Sequence, residues 1–272
     1  MISGLPFRLG TTSYIVPDSL AANARWLADY VQDVELVLFD LEDGRNNLPD
    51  ENELLELKQA AQDRQISYTV HFPQDLRLLT QDGREHPSLN KARKVIERAQ
   101  KLDPHAYVTH IDGREFQFGT VMTDLPPWYD QAIEALQIVG RWTGSLPRLA
   151  VENLDGFPPE FFSPIIRRVN VKRCLDVGHL WKDGHDPLPF LKRHLSQTSV
   201  IHLHGVNHRD HVSLAHQDPA QVDAVFTLLL QEQYSGVVTL EVFGEDDFLT
   251  SYDAVQQSLD RVYKRRARDI EK

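Results

Sequence analysis

A chain of 272 residues, 41% hydrophobic and 25% charged, can bury one large core, and an α/β barrel typically uses about 250 residues. Its 40 acidic against 29 basic residues give a formal net charge of −11, which argues against general affinity for nucleic acid. One cysteine, Cys174, excludes an internal disulfide and predicts a reducing compartment, the cytoplasm, while no run approaches the ~18 apolar residues of a membrane span.

Taken in chain order, apolar runs alternate with amphipathic ones. Phe7–Thr12 reads as a strand and Ala21–Tyr30 as a helix. Val34–Asp40 leads past Pro49 and Asp50, a helix entry, into Glu51–Arg64, where Leu54, Leu57 and Ala61 share a face. Ser67–Phe72 precedes Ser88–Leu102, and Ala106–Ile111 precedes Trp128–Trp142. The pairs Arg148–Asn153 with Phe161–Arg168, Val171–Val177 with Leu188–Leu195, Val200–Gly205 with Asp218–Glu232, and Val237–Val242 with Tyr252–Ala267 complete the series. The charged run from Arg261 to Lys272 reads as a solvated helix end. Eight strands alternating with helices predict an α/β fold, a single (β/α)8 barrel over residues 1–272. Two smaller domains or an open doubly wound sheet are the alternatives, but no Gly-x-Gly-x-x-Gly follows the first strand.

Titratable residues stand at or just past the last apolar residues of six strands: His71, His110, Glu152, Asp176, His204 and Glu241. In a barrel that end of the strands carries the active site. Strand alternation puts Ala150 with Glu152, Thr69 with His71, Val108 with His110, and Thr239 with Glu241, so small or polar positions lead inward to each group. Carboxylates gathered there repel one another and lose hydration, and divalent cations remove both costs. Three carboxylates with several imidazoles suit zinc, with manganese and iron as further candidates. His179, three residues after Asp176, and His211 join the predicted ligands. Any one of these histidines alone reads as a hydrogen-bonded structural residue, so the prediction rests on the set.

His202 shares the parity of His204 and is expected one layer below it, donating a hydrogen bond to a ligand, with Asp210 in a similar supporting role. His185 and His216 are further pocket candidates, Asp218 before Pro219 reads as a helix cap, and Glu42 with Asp43 as a charged loop. Arg114, Lys182 and Arg209 are candidate substrate contacts, with a surface charge as the plainer reading of each. Cys174 has inward parity and reads as packing.

With these residues in view, the chain resembles the xylose-isomerase-like barrel superfamily, which spans sugar isomerases, epimerases and the endonuclease IV family. The resemblance implies a divalent metal held by Glu152, Asp176, His204 and Glu241. The endonuclease IV branch adds histidines after the third and fourth strands, matched by His71 and His110, an Asp-x-x-His motif matched by Asp176–His179, and a Glu-Asn pair matched by Glu152 and Asn153. The chain departs from the Asp-x-His pair that follows the seventh strand, having Asp210 and His211 adjacent. In size and in the runs His202–Asn207 and Asp210–Leu214 it is similar to the cobamide-remodelling phosphodiesterases. That resemblance implies a metal-dependent hydrolase that opens the nucleotide-loop phosphodiester of a cobamide to cobinamide phosphate and an α-riboside. Glu152, Glu241 and His179 would serve the chemistry, with a small-molecule partner and no nucleic acid or membrane. A metal-dependent sugar isomerase or epimerase, with His71 and His110 on substrate hydroxyls, is the alternative enzyme; a noncatalytic metal- or corrinoid-binding barrel is the alternative of another class.

Overall fold

Alternation within the strands decides which side chains meet the helices and which fill the barrel. The computed structural model describes residues 2, 4–119 and 125–270. Its strands β1 (Arg8–Thr12), β2 (Asp33–Val37), β3 (Ser67–His71), β4 (Tyr107–Thr109), β5 (Leu149–Glu152), β6 (Lys172–Asp176), β7 (Thr198–Leu203) and β8 (Val237–Leu240) are all parallel and close in sequence order. The fold is thus the expected eight-stranded parallel barrel, and β1 pairs with β8 to shut it.

Outward-facing Leu9, Val34, Leu36, Tyr68, Val70, Leu175, Ile201 and Leu240 are buried under the helices in one continuous core. Inside the barrel, Ala106, Val108, Ala150, Cys174 and Val200 form a separate small apolar plug. Small residues there leave room near the plug, and polar side chains rise above it toward the C-terminal ends of the strands. Cys174 belongs to this packing, and burial pushes its thiol well above the usual range.

Helices α1 (Leu20–Leu27), α2 (Glu51–Arg64), α3 (Pro87–Ala99), α4 (Leu125–Trp142), α5 (Ser163–Val169), α6 (Val177–Lys182), α7 (Pro187–His194), α8 (Pro219–Gln231) and α9 (Glu245–Ile270) surround the barrel. Their starts follow capping chemistry: Asp50 accepts from Glu53 N at 2.9 Å, and Asp186 and Asp218 each cap a helix whose next residue is proline. Most boundaries shift by one to three residues, and two of the differences have a clear physical cause. β6 ends at Asp176 rather than Val177, because the Asp176 carboxylate accepts from His179 N at 2.6 Å and turns the chain at once into α6. α9 begins at Glu245, well before the expected start at Tyr252, with three acidic residues at its N-terminal end, where the helix dipole favours them. Its last three turns carry the charged run that begins at Arg261, of which residues 271 and 272 lie outside the described residues.

At the far end of the barrel from the helix α6 turn, Asp33 is fully buried; its Oδ2 accepts from Ser67 Oγ at 2.5 Å, while Oδ1 has no hydrogen-bond partner among the described residues. Burial lifts its pKa from 3.8 to about 6, against smaller lowering by Ser67 and Arg8. A folded-state pKa above the unfolded one means that the folded chain holds this proton more tightly, so stability falls as pH rises from 3.8 through about 6. Two units of difference correspond to ~3 kcal/mol. Asp33→Asn is expected to flatten the pH dependence between about pH 4 and 7 and to raise the unfolding free energy at neutral pH by ~1–3 kcal/mol. Urea denaturation of both proteins at stepped pH measures this; parallel curves for the two would contradict it.

Candidate metal centre

Four neighbouring strands converge on one point. Glu152 ends β5, Asp176 ends β6, His202 lies on β7, Glu241 follows β8, and all four side chains are buried. His202 Nδ1 sits 3.1 Å from Glu241 Oε2, 3.4 Å from Glu152 Oε2 and 3.8 Å from Asp176 Oδ2. On the far side of the same ring, Nε2 lies 3.1 Å from Glu35 Oε2. A carboxylate only accepts, so the contact with Glu35 takes a proton on Nε2, and in the metal-free protein the three carboxylates hold a second proton on Nδ1, whose place a bound cation would take. Among the described residues, Asp176 Oδ2, His202 Nδ1 and Glu241 Oε2 are buried without a hydrogen-bond partner. One donor atom from each of the four residues lies within 4.8 Å of the others. Three carboxylates crowded around one imidazole in a dry interior need positive charge among them, and that donor set fits a divalent ion. Clustered donors of this kind make the protein a metal-dependent enzyme with a divalent cofactor.

Several further donor groups share members with the first, and two of them flank it on either side. His71 Nε2 and His110 Nε2 lie 3.4 and 3.2 Å from Glu152 Oε2. His71 Nδ1 is turned to the Phe72 carbonyl at 2.9 Å, and His110 Nδ1 to Asp75 Oδ1 at 3.1 Å. On the other side, Asp176, His179, His204 and His211 form the third group. The His204 and His211 rings stack at 4.3 Å, and His179 stands nearly perpendicular to both. His204 Nε2, 3.4 Å from Asp176 Oδ1, has no hydrogen-bond partner among the described residues. A methyl group on Gly178 would run into the His204 ring, so glycine lets β7 approach the first turn of α6. Asn153 braces the same corner: its side chain exchanges two 2.9 Å hydrogen bonds with the Asp176 backbone.

Charge coupling is strong throughout. Burial alone would raise the Glu152 and Glu241 carboxyls, but His202 next to both, with His110 and His211, holds them well below the usual range. Burial opposes protonation of His110 and His211, yet Glu152 and Asp75 raise the first to about 10, and Glu241, Asp176 and Asp210 raise the second to about 9. A bound divalent cation would compete with those protons.

Above the cluster opens a basin of about 440 Å³, a size suited to a small molecule. Its floor includes His71, His110, Glu152, His179, His211 and Glu241, and its walls Val37, Leu154, Phe157 and Phe243. Asp176 and His202 lie beneath the floor and do not line it.

Several expectations change here. His202 does not sit behind the centre: its Nδ1 faces three carboxylates, whereas His204 contacts Asp176 alone among them. Of the three candidate substrate contacts, Arg114 lines the basin, its guanidinium held by Asp112 at 2.9 and 3.0 Å. Lys182 is instead neutralised by Asp155 and Asp210, at 2.8 and 2.6 Å, and Arg209 turns to Asp247. Asp210 lines the basin and also meets His211 Nδ1 at 3.2 Å. His185 lines a different cavity beside α7, His216 ends a short turn outside the basin lining, and Asp218 caps α8. Two polar groups escaped sequence reading. Glu35 was marked by the alternation of Asp33 and Glu35 with Val34 and Leu36 in a strand with apolar flanks. Asp75, on the loop after β3, carries no periodic signal.

A family model described as a xylose isomerase-like TIM barrel matches residues 25–265. The chain belongs to that family. Among solved structures, this xylose isomerase-like barrel is similar to a D-tagatose 3-epimerase-like protein, at 18% identity and TM-score 0.74 over 95% of this chain and 99% of that one. It is also similar to an L-ribulose 3-epimerase, at 14% identity and TM-score 0.72 over 98% of each chain. Endonuclease IV from Thermus thermophilus is another similar structure, with 17% identity and TM-score 0.66 over 93% of this chain and 99% of that one. No curated protein matches by sequence. Identities this low carry the fold alone. The expectation of a cobamide phosphodiesterase, with a cobamide as partner and corrinoid salvage as its role, is overturned: the similar barrels include sugar epimerases, and nothing found ties the chain to cobamide remodelling. Among the described residues, no helix is long and apolar enough to cross a membrane.

Because the cation offsets repulsion among buried carboxylates, its removal should be visible in stability. Dialysis against a chelator is expected to lower the thermal midpoint by several degrees, and added zinc or manganese to restore it. Identical midpoints in the stripped and reloaded protein would show that hydrogen bonds alone hold the cluster.

Proposed function

We propose that this barrel is a divalent-metal-dependent sugar epimerase or isomerase, and that Glu152, Asp176, His202 and Glu241 hold its ion. The observation that carries the reading is the division of labour among the four. Asp176 and His202 are sealed beneath the basin, while Glu152 and Glu241 also line it. Two carboxylates that face a small-molecule cavity from separate strands, β5 and the end of β8, are placed to take a proton from one side of a carbon and return one from the other. The family membership and the likeness of the fold to sugar epimerases support the choice of substrate class.

An ion in this site supplies Lewis acidity, drawing off the negative charge that builds on a sugar oxygen when the neighbouring C–H bond breaks. The donor set suits manganese as well as zinc. His71, His110, His179 and His211 line the basin with ring nitrogens turned to Glu152, Glu241, Asp75, Asp210 and backbone carbonyls, so they orient the two glutamates and would meet a sugar hydroxyl by exchanging one of those partners. Phe157, Phe243 and Leu154 cover the apolar face of a bound sugar and exclude water from the reacting carbon. Arg114, steadied by Asp112, offers its outer guanidinium nitrogen at the mouth. Lys182 and Arg209, both ion-paired outside the lining, take no part in this reading. In this reading the chain acts as one domain, since the site draws on strands from β2 to β8.

The deciding assay incubates the manganese- or zinc-loaded protein with a panel of free ketohexoses and ketopentoses in D2O. Epimerised product should carry deuterium at the inverted carbon. Glu152→Gln and Glu241→Gln should each lose ~10²–10⁴-fold in kcat. Product without solvent label would remove the two glutamates from the proton path, and no turnover of any sugar by metal-loaded protein would end the sugar reading.

A further inference from the structure

Across the barrel from β7, strand β2 carries a carboxylate that no role above uses. Glu35 is fully buried, in register between Thr12 of β1 and Thr69 of β3. Its Oε2 accepts from His202 Nε2 at 3.1 Å and from Thr239 Oγ1 at 3.4 Å. Among the described residues, its Oε1 has no hydrogen-bond partner, and His202 is its one ion-pair contact. A buried carboxylate without a lysine or arginine is costly to keep, and a neutral side chain of the same size would fill the space as well.

We propose that Glu35 is a positioning residue of the metal centre: it fixes the proton of His202 on Nε2 and turns the Nδ1 lone pair into the ring formed by Glu152, Asp176 and Glu241. The inference rests on the reading of those residues as ligands. Imidazole has two nitrogens, and only the proton-free one can bind a cation. Three carboxylates on the Nδ1 side would by themselves draw the proton to Nδ1 and close that nitrogen to metal. A fourth carboxylate on the Nε2 side opposes them. Its full negative charge also makes the imidazole a stronger donor than a neutral partner would. Because the contact joins β2 to β7, it holds the ring from a strand that supplies none of the four ligands.

The experiment is a zinc titration of metal-free protein against a chromophoric chelator, for the wild type and Glu35→Gln, with the thermal midpoint of each recorded. Glu35→Gln is expected to fold and to bind zinc ~10–100-fold more weakly. Long-range proton–nitrogen NMR of the zinc-loaded wild type should show the His202 ring with its one proton on Nε2. Equal zinc affinity for the two proteins overturns the inference even if the midpoint falls, because that is what plain packing would give. A wild type that binds no zinc or manganese overturns the ligand reading itself. Should Glu35→Gln fail to fold, Glu35→Asp draws the carboxylate back by one methylene while keeping its charge; it should bind zinc at least tenfold more weakly, about 1.4 kcal/mol, and unchanged affinity there counts against the proposal equally.

Discussion

Negative charge confined in a dry interior is the constraint on which this structure turns. Glu152, Asp176 and Glu241 bring carboxylates around one imidazole where water does not reach, with Glu35 behind it. No arrangement of aliphatic neighbours makes that favourable. The protein answers with histidines placed next to each acid, and with orphaned lone pairs directed at a common point. The surrounding barrel is what makes the arrangement rigid, since each member sits at or near the end of a strand held on both sides by its neighbours.

The barrel interior is graded along its axis. Alanine, valine and cysteine fill the middle, threonines and Glu35 stand with them, and the ligand candidates crown the C-terminal end. The small side chains of the plug let the polar layer above pack densely without forcing the strands apart. Chemistry and stability are thereby assigned to different heights of one fold. The basin above inherits its floor from the strands and its walls from loops bearing Leu154, Phe157 and Phe243.

Strand count and the polar strand ends were legible in sequence as local patterns of period two ending in a charge, and the barrel followed from eight such strands alternating with helices. The choice between His202 and His204 was not. Both have the same parity, and which one reaches the carboxylates depends on the stagger of β7 against β6 and β8, which pairs His202 with Asp176 and Thr239. Stagger is a property of the closed barrel and leaves no mark in the residues of one strand. Glu35 was readable in principle, since acids alternating with valine and leucine signal an interior face, but an acid below the strand end does not announce a partner on the opposite wall. Substrate identity was least legible. The run from His202 to Leu214 that suggested a cobamide belongs to one strand end and the loop behind it, while the basin is assembled from the ends and loops of most of the strands.

Asp176 shows how closely these layers are tied. One of its oxygens starts helix α6 by accepting from the His179 amide, and the other faces the cluster. The position therefore answers to two selective demands at once. Asparagine would preserve the helix start but forfeit the anion; glutamate would keep the anion but overshoot the amide. At this residue folding and chemistry are bound to a single side chain.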